Sequence, residues 1–456
     1  MKVLTNKSLC IIFSTFILFL LLIPSNAFAA SKASSIDSGD TAWMLIATAI
    51  VIFMTLPGLA IFYCGLMDSK NVVSTVMYTF SSLLVVTIIW VLWGYTLAFG
   101  GDVGGIIGNL DYLGFNNVGQ TPLNGMTIPH SIFAIFQCAF AAITVAIVSS
   151  GVAGRMGIGA WMAFSILWIT IVYSPMAHWV WGGGWLFNIG ELDFAGGTVV
   201  HILSGVSALV AAIILGPRIN YLKKVVTPHN LMLFMIGAAS LWVGWFGFNA
   251  GSALASNGLT AHVFTNTQVA ASAAGFSWLL VEWLMHKHPT LIGAANGVLA
   301  GLVGITPAAG YVTVLSALVI GLTTSPICYF GIHYIKARFK FDDTLDAFST
   351  HGIGGIWGSL LTGLLATTSV NSSGRNGLLY GNPIQLLHQC VGVTTAIVLA
   401  IVGTYIALKT VNLFTSIRVS KEDELNGLDI ASHEEVAYTT ESNSNLNVSH
   451  PLIQNR

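Results

Sequence analysis

Long apolar runs follow one another along almost the whole chain, and they restrict its fold more than any other feature. A helix needs about 20 consecutive, mostly apolar residues to cross the hydrocarbon core of a bilayer. Eleven such runs follow residue 30. They begin near Ala42, Val72, His130, Trp161, Asp193, Leu231, His262, Leu291, Thr313, Leu345 and Leu386. The runs predict an all-α polytopic membrane protein with eleven transmembrane helices.

The amino-acid composition is typical of a membrane protein. Hydrophobic residues make up 55% of the sequence and charged residues 8%, whereas a soluble domain has about 25% charged residues. The formal net charge is -1 and no strongly basic stretch dominates, so nothing predicts a nucleic-acid partner. The five cysteines occur singly. We therefore expect no disulfide framework, metal site or cofactor.

The first 29 residues have the features of a cleaved signal peptide. Lys2 and Lys7 precede an apolar run over residues 10–23, and Ala27-Phe28-Ala29 is similar to an A-x-A cleavage site. We expect the mature chain to begin near Ala30 and its membrane domain to occupy residues 30–414. An uncleaved first helix is the alternative, although Pro24 ends the apolar run early.

The positions of lysine and arginine predict the orientation, because cytoplasmic loops are enriched in both. With the mature N-terminus outside, the internal loops carry nine of them and the external segments two, Lys32 and Arg375. The nine are Lys70, Arg155, Arg218, Lys223, Lys224, Lys287, Lys336, Arg338 and Lys340. The asymmetry predicts an external N-terminus, and an odd number of spans then makes the C-terminus cytoplasmic.

Ten of the eleven predicted spans can divide into two sets of five whose directions are opposite. Inverted repeats of this kind are common in transporters. We therefore predict an inverted 5+5 repeat followed by a long last helix. The 48 glycines favour close packing between these helices.

Two histidines in the apolar runs are candidates for function, because hydrocarbon cannot solvate ionisable groups. His201 lies eight residues past Asp193 in the fifth run, at a depth of about 12 Å from the outer side. His351 lies seven residues past Thr344 in the tenth run, about 10 Å from the cytoplasmic side. In a core about 30 Å thick, the two imidazoles could meet. Each could instead be a buried neutral histidine bonded to a backbone carbonyl.

Aromatic residues and one carboxylate gather at the outer ends of several runs. The aromatic candidates are Phe136, Phe140, Trp181 and Phe248, followed by Ser252. Ring faces attract cations, but aromatic belts at the membrane interface have the same appearance. Asp193 could favour an approaching cation, or it could cap the fifth helix.

Seven ordered stretches resemble the ammonium transporter family, the Amt/Mep/Rh group, across nearly the whole mature chain. They are FMTLPGLAIFY from Phe53, FQCAF from Phe136, AHWVWGGG from Ala177, DFAGGTVVH from Asp193, GWFGFNAGS from Gly244, GLVGITPAAGY from Gly301 and DAFSTHG from Asp346. The resemblance implies an Amt-type transporter in the bacterial inner membrane that moves ammonium or ammonia, and not an enzyme. It also implies a homotrimer with one pore in each subunit.

The same resemblance implies a role for each candidate residue. Phe140, Trp181 and Ser252 would bind ammonium at the outer mouth, Asp193 would support that site, and Phe140, Phe248 and Phe136 would form the gate. His201 and His351 would line the pore beneath the gate and relay protons.

Residues 415–456 form a polar tail, and Arg418 to Tyr438 resemble the family's cytoplasmic regulatory tail. The matching strings are Gly427-Leu428-Asp429 and Ser432-His433-Glu434. In relatives such a tail couples the transporter to PII-type signalling proteins. Residues 441–456 have the composition of a disordered segment. A merely solvated tail is the alternative.

Three other classes of function stay open. An ammonium sensor or scaffold could signal through the tail, and a neutral ammonia channel could use the same pore. An intramembrane enzyme could use the histidines as metal ligands, but no cluster with metal-ligand spacing accompanies them. Trp181 and Ser252 favour the branch of the family that recruits the cation.

Overall fold

The computed structural model describes residues 35–223 and 228–438. The predicted signal peptide, Lys224 and the tail beyond residue 438 therefore lie outside the described residues. The described chain is mostly helical, and its long helices are numbered α1 to α11 here. Their bounds are Ser38–Leu66, Ser69–Phe99, His130–Gly151, Ile158–Ile189, Gly197–Leu215, Leu231–Gly251, Gly258–His286, Leu291–Ile305, Val314–Phe339, 348–365 and Pro383–Phe414.

Eight helices in the described parts of the chain are long and apolar enough to cross a membrane. They are α1 to α6, α9 and α11. The other three are α7, α8 and α10, of which α8 has 15 residues. The eight helices indicate a multi-pass membrane protein, while the full count of eleven spans stays a prediction.

Polar residues directly before several apolar runs define where the helices begin. The side chains of Asn230, Asn257, Thr290 and Thr313 each accept a hydrogen bond from a backbone N–H group in the first turn that follows. Capping satisfies donors that the first turn leaves without helical partners.

Helices α5 and α10 begin later than the apolar pattern indicates, at Gly197 and Phe348 instead of Asp193 and Leu345. Asp193 accepts hydrogen bonds from the first turn of α5, and a carboxylate that caps a helix stands outside it. Asp343 likewise accepts a hydrogen bond from the N–H of Phe348 at 2.7 Å.

Glycines bring two pairs of helices into backbone contact. A Cβ atom on Gly205 of α5 would lie 2.2 Å from the backbone nitrogen of Gly352 in α10. In the second pair, a Cβ atom on Gly237 of α6 would lie 2.2 Å from the backbone nitrogen of Phe62 in α1. Small residues permit this approach where helices meet inside a bilayer.

Ion pairs gather at the end of the bundle where α5 terminates. Arg218 donates to both carboxylate oxygens of Asp342 at 2.9 Å, and the fully buried Arg155 lies 3.6 Å from the same carboxylate. Arg418 of the tail pairs with Glu424 at 2.8 Å and donates to the carbonyl of Leu215. The tail therefore packs against the same end of the bundle as these arginines.

The shorter elements include two tail helices, one hairpin and two 3-10 helices, Leu113–Phe115 and Leu378–Tyr380. Helices α12 (Lys421–Asn426) and α13 (Leu428–His433) belong to the tail. Strands β1 (Asp102–Val103) and β2 (Ile107–Gly108) pair antiparallel after α2.

The contact between α5 and α10 predicts that Gly205→Ala destabilises the protein. The added methyl group has no room beside Gly352, and overpacking of this kind costs about 1–3 kcal/mol. Thermal unfolding in detergent should occur at a lower temperature than in the wild type.

Gly159→Ala is the matched control, because a Cβ atom there meets nothing within 4 Å. Its unfolding temperature should equal or exceed that of the wild type, since alanine favours helix. Equal unfolding of the Gly205 variant and the wild type would contradict the contact.

Candidate functional site

A cavity of about 420 Å³ opens at the end of the bundle where α5 begins. Its walls include four of the residues that the sequence singles out, Phe140, Trp181, Asp193 and Ser252. Other residues in the walls are Phe133, Gln137, Glu191, Phe194, Tyr311 and Arg375. The outer cavity, as we call it, joins four of the predicted site residues.

Asp193 organises the start of α5. One carboxylate oxygen accepts the N–H groups of Gly196 and Gly197 at 2.8 and 2.6 Å, and the other accepts those of Thr198 and Val199 at 2.8 and 3.2 Å. A carboxylate in this position satisfies the free donors of the first turn and the positive end of the helix dipole. Asp193 therefore caps α5, and its charge can still favour an approaching cation.

Trp181 is fixed to the same residue. Its indole N–H donates to the backbone carbonyl of Asp193 at 2.9 Å. Its ring packs edge-on against Phe140, with centroids 6.0 Å apart. Asp193 therefore orients the indole at the cavity wall.

Phe140, in the wall of the outer cavity, stacks on Phe248. Their rings stack with centroids 4.0 Å apart and an angle of 11° between the planes. Phe136, one helical turn before Phe140, lies 4.8 Å from it. The Ser252 hydroxyl donates to the carbonyl of Phe248 at 2.9 Å, which leaves its oxygen lone pairs available to a donor.

The two histidines meet directly beneath the stacked phenyl rings. The Nδ1 atoms of His201 and His351 are 3.2 Å apart, and the imidazole of His201 lies 6.0 Å from the ring of Phe248. His201 is fully buried, and no protein atom of the described structure bonds its Nε2. Because the Nδ1 atoms share one hydrogen, one imidazole has Nε2 as an acceptor and the other has Nε2 as a donor.

Both histidines lie in π-helical turns, Gly197–Ile202 and Phe348–Ile353. The N–H of His201 donates to the carbonyl of Gly196, five residues earlier, at 3.0 Å. Such turns are rare and frequently occur at functional sites. Gly205 and Gly352 bring the two backbones together beside these turns, so the imidazoles can reach one another.

Trp245 forms a further wall of the histidine pair. Its ring centroid lies 5.4 Å from that of His201, and its indole N–H donates to Thr306 at 2.9 Å. The sequence pattern placed Trp245 in an aromatic and glycine-rich run without assigning it to the site. Its depth within an apolar run was the available signal.

Glu191 is the other residue of the site that the sequence analysis overlooked. It lies two residues before Asp193, is buried, and contacts the hydroxyl of Thr198 at 3.1 Å. An ionisable residue beside an apolar run was the signal that could have identified it. Residues 35–223 and 228–438 contain no group of three His, Cys, Asp or Glu side chains that could hold a metal ion.

The tail makes a second set of polar contacts, with the start of α2. The carboxylate of Asp429 accepts the N–H groups of Val73 and Ser74 at 3.0 and 2.8 Å, in the first turns of α2. Lys70 donates to the carbonyl of Leu425 at 2.5 Å. A tail carboxylate thus caps a helix of the membrane domain.

Fold and site together define a multi-pass helical membrane protein in which an outer cavity leads toward a buried histidine pair. The chain belongs to the Ammonium Transporter Family, whose model matches residues 42–438. This is a family of transporters and not of enzymes.

Named relatives match over most of their length. The ammonium transporter of Bacillus subtilis (strain 168) is 49% identical over 401 residues, which cover 88% of this chain and 98% of the relative. Saccharomyces cerevisiae Mep2 has a crystal structure that matches with a TM-score of 0.80 and 34% identity, covering 85% of this chain and 89% of Mep2. A protein named Sensor Amt Protein matches with a TM-score of 0.79 and 31% identity, covering 87% of this chain and 97% of that protein.

The position of Trp181 predicts that Trp181→Leu weakens the binding of a cation in the outer cavity. Loss of one cation–π contact costs about 0.5–2 kcal/mol, which corresponds to about a two- to thirtyfold higher half-saturating concentration. Ammonium-dependent transport by the purified protein in liposomes measures it.

Trp179→Leu is the matched control, because Trp179 lies on the same helix and donates to the carbonyl of Ile106 outside the outer cavity. Its concentration curve should match that of the wild type. If Trp181→Leu also gave an unaltered curve, Trp181 would belong to an aromatic belt.

Proposed function

We propose that the protein transports ammonium across the bacterial inner membrane by binding the cation outside, removing one proton and passing ammonia inward. Phe140, Trp181 and Ser252 bind the cation, and Phe140 and Phe248 form the gate with Phe136 behind it. His201 and His351 line the pore. The observation that carries this proposal is the 3.2 Å contact between two histidines directly beneath the stacked phenyl rings.

Deprotonation follows from the cost of moving a charge through an apolar constriction. An ammonium ion in hydrocarbon loses many kcal/mol of hydration, and a cation–π contact with a phenyl ring returns only about 0.5–2 kcal/mol. Ammonia is neutral and avoids that cost. Beyond the rings, the imidazole pair offers one acceptor and one donor, so it can exchange hydrogen bonds with ammonia and hand on protons.

The outer cavity supplies what the cation needs before that step. The faces of Trp181 and Phe140 attract positive charge, and the Ser252 oxygen can accept an N–H group. Asp193 orients the indole through its carbonyl and adds negative charge nearby. Potassium has a similar charge and size, but it can neither donate a hydrogen bond nor lose a proton.

We further propose eleven spans, with an external N-terminus, a cytoplasmic C-terminus and two inverted sets of five. Support comes from the glycine contacts of α1 with α6 and of α5 with α10, because these are the helices that an inverted repeat makes equivalent. The segregation of arginines at the tail end agrees with the positive-inside rule. Residues 1–29 are a cleaved signal peptide, residues 30–414 the membrane domain and residues 415–456 the tail. The family resemblance extends this unit to a homotrimer.

The docked tail supports regulation by a PII-type signalling protein. Asp429, Lys70 and Leu425 connect the tail to the first turns of α2, so a partner that binds the tail acts directly on the membrane domain. A sensor is the second candidate function, and the resemblance to Sensor Amt Protein favours it. A neutral ammonia channel would share the histidine pair but would not need the cation-binding residues.

The histidine pair provides the direct test. Purified wild-type protein in liposomes should take up ammonium and exclude potassium, whereas His201→Ala and His351→Ala should reduce the uptake or admit potassium. Each change removes half of the donor and acceptor pair. Uptake is measured by the internal pH and by currents after a concentration step.

His288→Ala is the control for the loss of an imidazole, because His288 is exposed between α7 and α8. Unaltered uptake and selectivity in both pore variants would contradict a role for the pair. A wild-type protein that binds ammonium but gives no flux would favour the sensor.

The tail contacts predict that Asp429→Asn loosens the tail. An amide cannot accept both N–H groups as the carboxylate does, and a hydrogen bond to a charged group contributes about 1.5–3 kcal/mol. Limited proteolysis within α12 and α13 should accelerate, and binding of the organism's own PII protein, with and without nucleotide, should change.

Glu422→Gln is the matched control, because Glu422 is exposed on the same tail. Its proteolysis and binding should equal those of the wild type. Equal behaviour of the Asp429 variant would mean a solvated tail with no role in coupling.

A further inference from the structure

Glu191 has no part in the transport mechanism proposed above, yet it lies beside Asp193, the carboxylate of the outer cavity. Glu191 is 5% exposed, and it forms part of the wall of the outer cavity with Asp193. A buried carboxyl group is costly unless it is paired or neutral. The contacts of Glu191 show whether it is a paired carboxylate or a neutral carboxylic acid.

The hydroxyl of Thr198 lies between the two carboxyl groups. Its Oγ1 is 2.6 Å from Oδ2 of Asp193 and 3.1 Å from Oε1 of Glu191. A hydroxyl group carries one hydrogen and can donate to one of these oxygens only. The other contact is a hydrogen bond only if the second carboxyl group carries a proton.

Asp193 is the acceptor in this arrangement. It already accepts four backbone N–H groups, and its contact with Thr198 is the shorter of the two. Thr198 therefore donates to Asp193 and accepts from Glu191. The proton of the pair lies on Oε1 of Glu191.

The remaining environment of Glu191 agrees with a neutral carboxylic acid. Its side chain packs against α11, where a Cβ atom on Gly392 would lie 2.7 Å from its Cγ. No protein atom in the described part of the chain bonds its Oε2. Burial raises the pKa of Glu191 well above its ordinary value, and the charge of Asp193 raises it further.

Among the described residues, no lysine or arginine forms an ion pair with Glu191. The phenol of Tyr311 lies near both carboxyl groups: burial raises its pKa, and negative charge on Asp193 or Glu191 raises it further. Arg375, in the wall of the same cavity, donates to the carbonyl of Ile189. On α11, the nearby polar side chains are the amides of Gln385 and Gln389, which bond Gly190 and Leu192.

We propose that Glu191 is a proton-holding residue of the transport site and that the Thr198 hydroxyl exchanges its proton with Asp193. The proton on Oε1 of Glu191 moves to Oγ1 of Thr198 while the hydroxyl proton of Thr198 moves to Oδ2 of Asp193. The negative charge then moves from Asp193 to Glu191, and Thr198 is unchanged.

The consequence rests on the proposed function. Two carboxyl groups that share one proton carry a single negative charge between them, which suits a monovalent cation. The same pair has one vacancy for the proton that ammonium loses. Glu191 and Thr198 act through Asp193 and are positioning residues in this sense.

Glu191→Gln tests the transferable proton of Glu191 while it keeps a hydrogen bond to Thr198. A glutamine amide can donate to Thr198 and preserves the charge of the site, but it cannot release a proton. Infrared spectra of the purified protein at neutral pH should contain a protonated-carboxyl band that shifts in heavy water and is missing from this variant. Its ammonium-evoked current in liposomes should fall by about a hundredfold, the low end of the range for a positioned proton-transfer group.

Thr198→Val and Thr198→Ser test the exchange itself. The valine variant should keep the band and lose the current, and the serine variant should restore the current through its hydroxyl group. Glu282→Gln is the spectroscopic control, because the buried Glu282 accepts hydrogen bonds from Trp278 and Thr290 and should contribute no such band.

Equal bands in the wild type and Glu191→Gln would overturn the assignment of the proton. A missing band with an unaltered current would overturn the exchange. If the wild type itself gave no ammonium-evoked current, the proposed function would fail, while the infrared comparison would still decide where the proton lies.

Discussion

The cost of a charge in hydrocarbon is the constraint on which this structure depends. Hydrocarbon offers no hydration, so buried ionic groups need partners inside the protein. Asp193 is surrounded by N–H groups at the start of α5, and Arg155 lies against Asp342 at the opposite end of that helix. The substrate meets the same constraint, because the stacked rings of Phe140 and Phe248 offer a cation no compensating polar group. Under this constraint a protein can select ammonium by its ability to lose a proton and donate hydrogen bonds, and not by the width of the pore.

Close backbone packing between α5 and α10 brings the two histidines into contact. Gly205 and Gly352 allow α5 and α10 to touch, and the π-helical turns beside them direct His201 and His351 toward each other. Larger residues at the glycines would separate the imidazoles. The geometry of the pair therefore depends on residues that carry no chemistry of their own.

Much of this arrangement was predictable from the sequence because hydropathy and depth are simple functions of position. The apolar runs located the long helices, and counting residues along the fifth and tenth runs predicted that the two imidazoles could meet. The starts of α5 and α10 were less accurate, since capping by Asp193 and Asp343 begins the helices later than the apolar pattern does. The contact of Glu191 with Thr198 and that of Asp429 with α2 depend on side-chain orientation and on residues distant in sequence, which hydropathy does not encode.

The most direct test of the account compares two cations of similar size on the wild-type protein. Currents are recorded from protein in liposomes on a solid support after equal steps of ammonium and of potassium, together with the internal pH. The account predicts a transient current that saturates with ammonium and no current with potassium, because only ammonium can lose a proton at the outer cavity. A potassium current of similar size would contradict it, and rapid internal alkalinisation without any current would identify a neutral ammonia channel.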